Sequence, residues 1–109
     1  MTDLPVSIVV VSRGRPRSLA RTLKGISQLQ YWNFEVIVVA DPAGIEAAKT
    51  LDFSESLKLI PFDVPNISAA RNMGLTRAAG EIVAFIDDDA VPEPMWLHYL
   101  IAPFDRSDI

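Results

Sequence analysis

The stretch of residues 81–93, EIVAFIDDDAVPE, constrains the fold of this chain more than any other. Residues 82–86 form a continuous apolar run, too short for a stable helix and typical of a strand that is covered on both faces. Three carboxylates, Asp87, Asp88 and Asp89, follow directly. Like charges repel, and burying an unpaired carboxylate is costly. The strand is therefore predicted to end here, with the acids facing an open crevice.

This placement of acids favours a metal site. Hard divalent cations of the Mg²⁺ type take oxygen ligands and leave coordination positions open for phosphate and water. Consecutive acids at the carboxyl end of a buried strand supply such ligands. The alternative is a solvated acidic turn that caps the next helix, but most acidic turns do not follow a fully apolar strand.

Apolar strands and amphipathic helices alternate along the chain. Strands are predicted over residues 7–12, 34–40, 57–62 and 82–86. Helices are predicted from Pro16 to about Gln30, over 45–51, from a cap at Asn66 to about Ala79 with Gly80 after it, and from Pro94 onward. Pro61 places the third strand at a sheet edge.

The alternation predicts an α/β fold, a three-layer Rossmann-like parallel sheet with helices on both faces and strand order 3-2-1-4. In such sheets ligands bind where the strand order reverses, outside the carboxyl ends of the strands. That point brings together Ser12 and Arg13 after the first strand, Asp41 after the second, and the three acids after the fourth.

Length and composition limit the classes of function that this chain can have. At 109 residues the chain is one domain at most, it has no cysteine for disulfides or thiolate metal sites, and it has no apolar run of ~18 residues that would span a membrane. The amino terminus has no secretory signal pattern, so a cytoplasmic location is expected. A net charge of −4 argues against a nucleic-acid binder.

The basic residues are clustered. Four of the ten Lys and Arg residues are Arg13, Arg15, Arg17 and Arg21. An acidic chain with one local cationic cluster is expected to hold a small anion, at a helix amino end that already favours one. The alternative is a solvated basic surface.

Two further charged residues have both a functional and a structural interpretation. Arg71 falls between Ile67 and Leu75 on the apolar arc of its helix, so it is expected on a buried face with an anionic partner; alternatively its side chain reaches the surface along its aliphatic stem. Asp41 either contacts a ribose or base or caps the next helix in an Asx-turn. The single histidine, His98, is expected to be exposed rather than a ligand.

Other nucleotide-binding and hydrolytic sites are excluded. The turn after the first strand reads SRGRPRS, which is not a GxGxxG loop, and the chain has no GxxxxGK[ST] motif. One histidine and no cysteine leave no Ser-His-Asp or Cys-His set.

The pattern resembles the nucleotide-sugar glycosyltransferases of the GT-A type, and specifically glycosyltransferase family 2. The resemblance covers residues 6 to about 104. It is carried by VSIVVVSRGRPRSLARTL, FEVIVVAD, NISAARNMGL and FIDDDAVPEPMWL, of which the last two at this spacing are specific.

The resemblance implies an inverting, metal-dependent transferase whose donor is a UDP- or GDP-linked sugar. It implies that Ser12 and Arg13 lie along the base, that Asp41 contacts base or ribose, and that Arg71 holds the nucleotide. It also implies that Asp87 faces the ribose and the metal. Asp88 would be the variable middle residue of the DXD motif, and Asp89 would ligate Mn²⁺ or Mg²⁺ at the diphosphate.

Two departures from the family limit what is expected of the chain. Ala40 precedes Asp41 where many members carry a pair of acids. The acceptor half, with the general base, would follow Ile109, so residues 1–109 resemble the amino-terminal, donor-binding part of a larger GT-A domain, and membrane association is expected only through a missing region.

The sequence has two alternative functional interpretations. The first is a truncated, non-catalytic nucleotide-sugar-binding or assembly module that forms a homodimer through the exposed flank of the fourth strand. The second is a sugar nucleotidyltransferase, which would require a GGxGTR-like loop that SRGRPRS does not supply.

Overall fold

A computed structural model describes residues 4–51 and 56–104. Strands and helices alternate in these residues as the sequence predicts. The elements are β1 (Val6–Ser12), α1 (Pro16–Ile26), β2 (Phe34–Ala40), α2 (Pro42–Lys49), β3 (Ser56–Pro61), α3 (Ile67–Thr76), β4 (Ile82–Asp87), α4 (Trp96–Ile101) and a 3-10 helix (Ala102–Phe104).

The four strands form one parallel sheet in the order β3-β2-β1-β4, which confirms the predicted order and the edge position of β3. In the register, Ser12 at the end of β1 lies beside Ala40 at the end of β2, and Val11 lies beside Asp87 at the end of β4. The residues that follow these three strands therefore emerge at one edge of the sheet.

Each face of the sheet is covered by helices, as predicted. On one face α1, α2 and α4 enclose the larger core, which includes Ile8, Val10 and Leu23. On the other face α3 covers a smaller core that includes Val9 and Ile37. Because the crossovers to β2 and β3 run on the first face and the crossover to β4 runs on the second, the strand order reverses between β1 and β4.

Helix α1 ends earlier than predicted, at Ile26 instead of about Gln30. The N–H groups of Gln28 and Leu29 donate to carbonyl oxygens only three residues back, so the chain leaves the α-helix through tighter turns. Leu29 is nevertheless buried, as the apolar stripe predicts.

The prediction that residues 82–86 are covered on both faces is wrong. Only Ala84 is fully buried in β4, and Phe85 is 44% exposed. The physical reason is position, since β4 is the outer strand of the sheet and has a neighbour on one side only.

Helix α3 begins as predicted, because the side chain of Asn66 accepts a hydrogen bond from the N–H of Ala69 at 3.0 Å. Its buried face is narrower than predicted. Ala70 and Gly74 are buried, whereas Ile67 and Leu75 are exposed. A Cβ on Gly74 would lie 2.5 Å from Cγ1 of Val9, so the helix contacts the sheet along a strip of small residues.

Arg71 is consequently not on a buried face, and that prediction is wrong. Its side chain is 45% exposed. The alternative, a guanidinium at the surface, is what the structure shows.

No helix within the described ranges, 4–51 and 56–104, has the length and apolar character needed to cross a membrane.

Candidate functional site

A crevice of about 550 Å³ opens where the strand order reverses. The walls of the crevice are formed by the ends of β1 and β2, the loop between β3 and α3, the first turns of α3, and the three acids at the end of β4. Its lining residues are Val11, Ser12, Arg13, Arg15, Val39, Phe62, Val64, Pro65, Asn66, Ile67, Ala70, Asp87, Asp88 and Asp89. Five of the predicted site residues are in this list, and Asp41 and Arg71 are not.

The turn between β1 and α1 directs two arginines to opposite walls of the crevice. Gly14 has a φ of 74°, a backbone conformation that residues other than glycine rarely adopt. Before it, Nε of Arg13 donates to Oδ1 of Asp63 at 2.9 Å. After it, Nη1 of Arg15 lies 3.5 Å from Oδ1 of Asp88 and 3.6 Å from Oδ2 of Asp89.

Asp41 holds this turn in place. Its Oδ1 accepts a hydrogen bond from the N–H of Gly44 at 3.0 Å, which caps α2, and its Oδ2 accepts one from the N–H of Gly14 at 2.8 Å. Each carboxylate oxygen therefore already has a backbone partner. Of the two roles predicted for Asp41, the structure shows the helix cap. The same carboxylate also connects α2 to the turn that carries Arg13 and Arg15.

The three acids differ in exposure. The side chains of Asp87 and Asp89 are 75% and 62% exposed, whereas that of Asp88 is 12% exposed. Oδ2 of Asp88 accepts a hydrogen bond from Oγ of Ser12 at 2.9 Å. The backbone carbonyl of Asp88 accepts one from Oγ1 of Thr22 at 2.8 Å. The middle acid thus anchors the turn to β1 and α1, and the outer two have oxygens open to solvent.

Arg71 pairs with the acids although it lies outside the crevice lining. Its Nη2 is 3.8 Å from Oδ1 of Asp87, and its guanidinium carbon is 5.8 Å from the centre of the Phe85 ring. The ring contact and the ion pair both stabilise the position of the guanidinium, although each contributes little at an exposed position.

Asp87 and Asp89 are the side chains that could share a divalent cation with a ligand. Within the ranges that the structure describes, no group of three or more His, Cys, Asp or Glu side chains is arranged to hold a metal ion. A site made of protein alone would need such a group. Mg²⁺ is commonly held by one or two carboxylates together with the phosphates of a substrate, and two exposed carboxylates at one crevice meet that requirement.

The predicted basic cluster divides in the structure. Arg13 and Arg15 line the crevice, whereas Arg17 and Arg21 do not. Arg21 donates to Oγ of Ser18 at 3.4 Å on the same helix. His98 is exposed, as predicted; its Nε2 contacts the backbone carbonyl of Gln30 and its ring edge packs against Tyr31.

Two residues that contribute to the site, Thr22 and Asp63, were not predicted from the sequence. Thr22 is buried on the apolar stripe of α1. A buried hydroxyl requires a partner, which is the signal that could have identified it, but the partner is 66 residues away. Asp63, whose partner Arg13 is 50 residues away, has no local signal.

Comparison with known proteins agrees with this architecture. The family model described as "Glycosyl transferase family 2" matches residues 7–109. A hyaluronan synthase of Pasteurella multocida is 31% identical over 109 residues, which cover 94% of this chain and 11% of that protein. A UDP-Glc:alpha-D-GlcNAc-diphosphoundecaprenol beta-1,3-glucosyltransferase of Escherichia coli, WfgD, is 31% identical over 94 residues, or 84% of this chain and 37% of that protein.

Two solved structures share the fold. TarS of S. aureus in complex with UDP superposes with a TM-score of 0.82 at 22% identity, covering 96% of this chain and 33% of that chain. The mannosyltransferase PcManGT of Pyrobaculum calidifontis, in complex with GDP-Man and Mn²⁺, gives a TM-score of 0.73 at 24% identity, covering 84% and 29%. At these identities the likeness shows the fold.

The matched part is thus a minor share of each relative's length, from 11% to 37% in the proteins named above. The parallel sheet in the order 3-2-1-4, the acids after β4 and the family match over residues 7–109 lead to one conclusion. The chain belongs to glycosyltransferase family 2 and has the GT-A fold.

Proposed function

We propose that this chain is the donor-binding part of an inverting, metal-dependent glycosyltransferase whose donor is a nucleotide-diphosphate sugar. The observation that carries the proposal is the crevice between β1 and β4, whose lining includes two arginines, Arg13 and Arg15, and two exposed carboxylates, Asp87 and Asp89. Cationic and anionic groups at one crevice suit a ligand with phosphates and a bridging cation. The proteins of similar fold that bind UDP or GDP-Man support the nucleotide class.

The residues take the following roles in this proposal. Arg13, with the turn that Asp41 holds, positions the base and ribose. Arg71 counters the charge of Asp87, which faces the ribose and the metal, and Asp89 is the main ligand of Mn²⁺ or Mg²⁺. The bound cation supplies charge neutralisation for the leaving nucleoside diphosphate. Ser12 and Asp88 keep the acid turn, defined as residues Asp87, Asp88 and Asp89, in position through their mutual hydrogen bond.

No residue of 1–109 is assigned as the base that activates the acceptor hydroxyl. Acceptor binding is likewise not assigned to these residues, because the matched segment is about a third or less of the solved relatives named above. This is a proposal for the whole protein, and the donor part is testable by itself through binding.

Titration calorimetry with UDP and GDP, in the presence and absence of Mn²⁺, tests the proposal. We expect at least one of the two nucleotides to bind more tightly with Mn²⁺. Asp89→Asn removes the charge at constant size and should abolish the Mn²⁺ dependence. The matched control is Glu93→Gln, which makes the same charge change four residues further on, outside the crevice lining. If Mn²⁺ strengthens the binding of neither nucleotide, the proposal is wrong.

A second function, a non-catalytic binding or assembly module, has one observation in its favour. β4 is an outer strand with Phe85 exposed, and residues 82–86 contain no lysine or proline of the kind that blocks edge pairing. This function predicts a dimer on gel filtration and no turnover of nucleotide sugars by the intact protein. A monomer that transfers sugar excludes it.

A further inference from the structure

Arg15 lines the crevice and lies against the acid turn. One guanidinium nitrogen, Nη1, is 3.5 Å from Asp88 and 3.6 Å from Asp89. On the basis of the proposed function, we propose that Arg15 is a positioning residue that competes with a divalent cation for Asp89 and binds the donor diphosphate when the cation is present. The roles that the family resemblance assigns to residues of this chain do not include it.

The backbone of Arg15 is fixed, whereas its side chain is held by long contacts with the acids. Its carbonyl oxygen accepts the N–H of Leu19 at 3.0 Å, in the first turn of α1. The preceding residue, Gly14, donates its N–H to Asp41 at 2.8 Å. The side chain of Arg15, in contrast, is 56% exposed and makes no helix-capping hydrogen bond. The guanidinium can therefore turn about a fixed Cα between the acids and the centre of the crevice.

The contacts that Arg15 makes with the acids are weak enough to exchange. Charge-assisted N–H···O bonds are typically ~2.7–2.9 Å long, and both contacts here are longer. Asp88 is also satisfied independently, through Ser12 at 2.9 Å. The pair between Arg15 and Asp89 is exposed on both sides, and exposed ion pairs contribute little to stability. Moving the guanidinium away thus leaves no buried charge without a partner.

A diphosphate offers Arg15 a better partner than the acids do. The planar guanidinium donates two parallel hydrogen bonds to phosphate oxygens, and such bidentate contacts are among the strong ones in proteins. The crevice that a diphosphate would enter is lined by both Arg13 and Arg15, but Arg13 already has Asp63 at 2.9 Å. Arg15, with the longer contacts, is the arginine that is available.

This arrangement links the two ligands. While Arg15 faces Asp89, a cation that binds Asp89 without a diphosphate is repelled by the positive charge of the guanidinium. A diphosphate that draws Arg15 away removes that competition, and by reciprocity the cation strengthens diphosphate binding. Removing the Arg15 charge should therefore change the affinity for the cation alone and for the diphosphate in opposite directions.

Arg15→Gln tests this, with Arg17→Gln as the matched control. Arg17 is exposed on the same helix, does not line the crevice and makes no ion pair with the residues that the structure describes. Mn²⁺ alone is titrated by electron paramagnetic resonance of the free ion, and UDP and GDP are titrated at saturating Mn²⁺ by calorimetry. We expect Arg15→Gln to bind Mn²⁺ alone about two- to fivefold more tightly and the nucleotide about tenfold or more weakly. Arg17→Gln should change neither by more than about twofold.

Arg15→Lys separates charge from shape. It should restore the weak binding of Mn²⁺ alone and recover only part of the nucleotide affinity, because an ammonium group lacks the planar fork. Thermal unfolding of each variant checks the fold, which is expected to be unchanged because the Arg15 side chain caps nothing.

The outcomes distinguish this inference from the proposed function. If the wild-type protein binds neither UDP nor GDP more tightly with Mn²⁺, the proposed function fails and the inference fails with it. If the wild type shows Mn²⁺-linked binding and Arg15→Gln behaves like Arg17→Gln, only the inference is wrong. The inference is also overturned if Arg15→Gln weakens binding of Mn²⁺ alone.

Discussion

The hydrogen bond from Thr22 to the acid turn gives the sharpest test of how the fold supports the site. Thr22 is buried in α1, and its Oγ1 donates to the backbone carbonyl of Asp88 at 2.8 Å. Thr22→Val replaces the hydroxyl with a methyl group of similar size and keeps the helix propensity nearly constant. The substitution therefore removes one tether of the turn between Asp87 and Asp89 without creating a cavity.

The expected loss of stability follows from the geometry of this bond. The oxygen-to-oxygen distance is in the optimal range for an O–H···O bond. An ordinary hydrogen bond contributes ~1 kcal/mol net, and a buried group left without its partner costs ~1–3 kcal/mol. Because the Asp88 carbonyl is only part-buried, water replaces some of the interaction, and we expect a loss of ~1–2 kcal/mol. For a domain of this size each kcal/mol lowers the melting temperature by ~4–8 °C.

Thr22→Ser is the control. It keeps the hydroxyl and loses a buried methyl group, which costs ~1 kcal/mol, so the two variants should be destabilised to a similar extent. Urea unfolding measures the stability, and UDP or GDP titration with Mn²⁺ measures the site. Thr22→Val should weaken Mn²⁺-linked binding several-fold, whereas Thr22→Ser should bind like the wild type. Equal binding by the two variants would show that the tether does not position the acids, and the reasoning would be refuted.

Two further predictions concern stability. Gly74→Ala should destabilise the protein in urea unfolding, because overpacking costs ~1–3 kcal/mol against a gain of ~1 kcal/mol in helix propensity, and its Cβ would lie 2.5 Å from Cγ1 of the buried Val9. Combined with Val9→Ala, the loss should be smaller than the sum of the two single losses, and a stabilised Gly74→Ala would contradict the packing. Burial raises the pKa of Glu35, but hydrogen bonds from Ser7 and the N–H of Ala79 and the charge of Lys58 outweigh it and leave the pKa lowered. Because the folded-state pKa is depressed, the stabilisation is present above the pKa of an unfolded glutamate and is lost as the pH falls through the folded value. Urea midpoints should therefore fall less on acidification in Glu35→Gln than in the wild type, while the exposed control Glu46→Gln should follow the wild type.

The sequence predicted those features that depend on periodicity and on the chemistry of single residues. Leu19, Leu23 and Ile26 repeat at the helical period and are buried in α1. Uninterrupted apolar runs marked β1 and β2, which are covered on both faces. The apolar run of β4 was predicted to be covered on both faces in the same way, and it is not, because an apolar run does not distinguish an inner strand from an outer one.

Helix α3 shows the limit of periodicity more clearly. The pattern of apolar residues gave the direction of its inner face, and Ala70 and Gly74 are indeed buried. It did not give the width of that face, which depends on how closely the helix approaches Val9 in the sheet. Ile67, Leu75 and Arg71 are exposed as a result.

By itself, the sequence determined the parallel α/β sheet, its strand order and the edge at which Ser12, Arg13 and the three acids meet, because strand composition and crossover handedness are local or nearly local properties. Only the tertiary structure decided which groups those side chains contact. Asp88 faces Ser12 and Thr22, 76 and 66 residues away along the chain, and Asp41 holds Gly14, 27 residues away. Contacts over such separations depend on how strands and helices pack in three dimensions, and no spacing in the sequence encodes them.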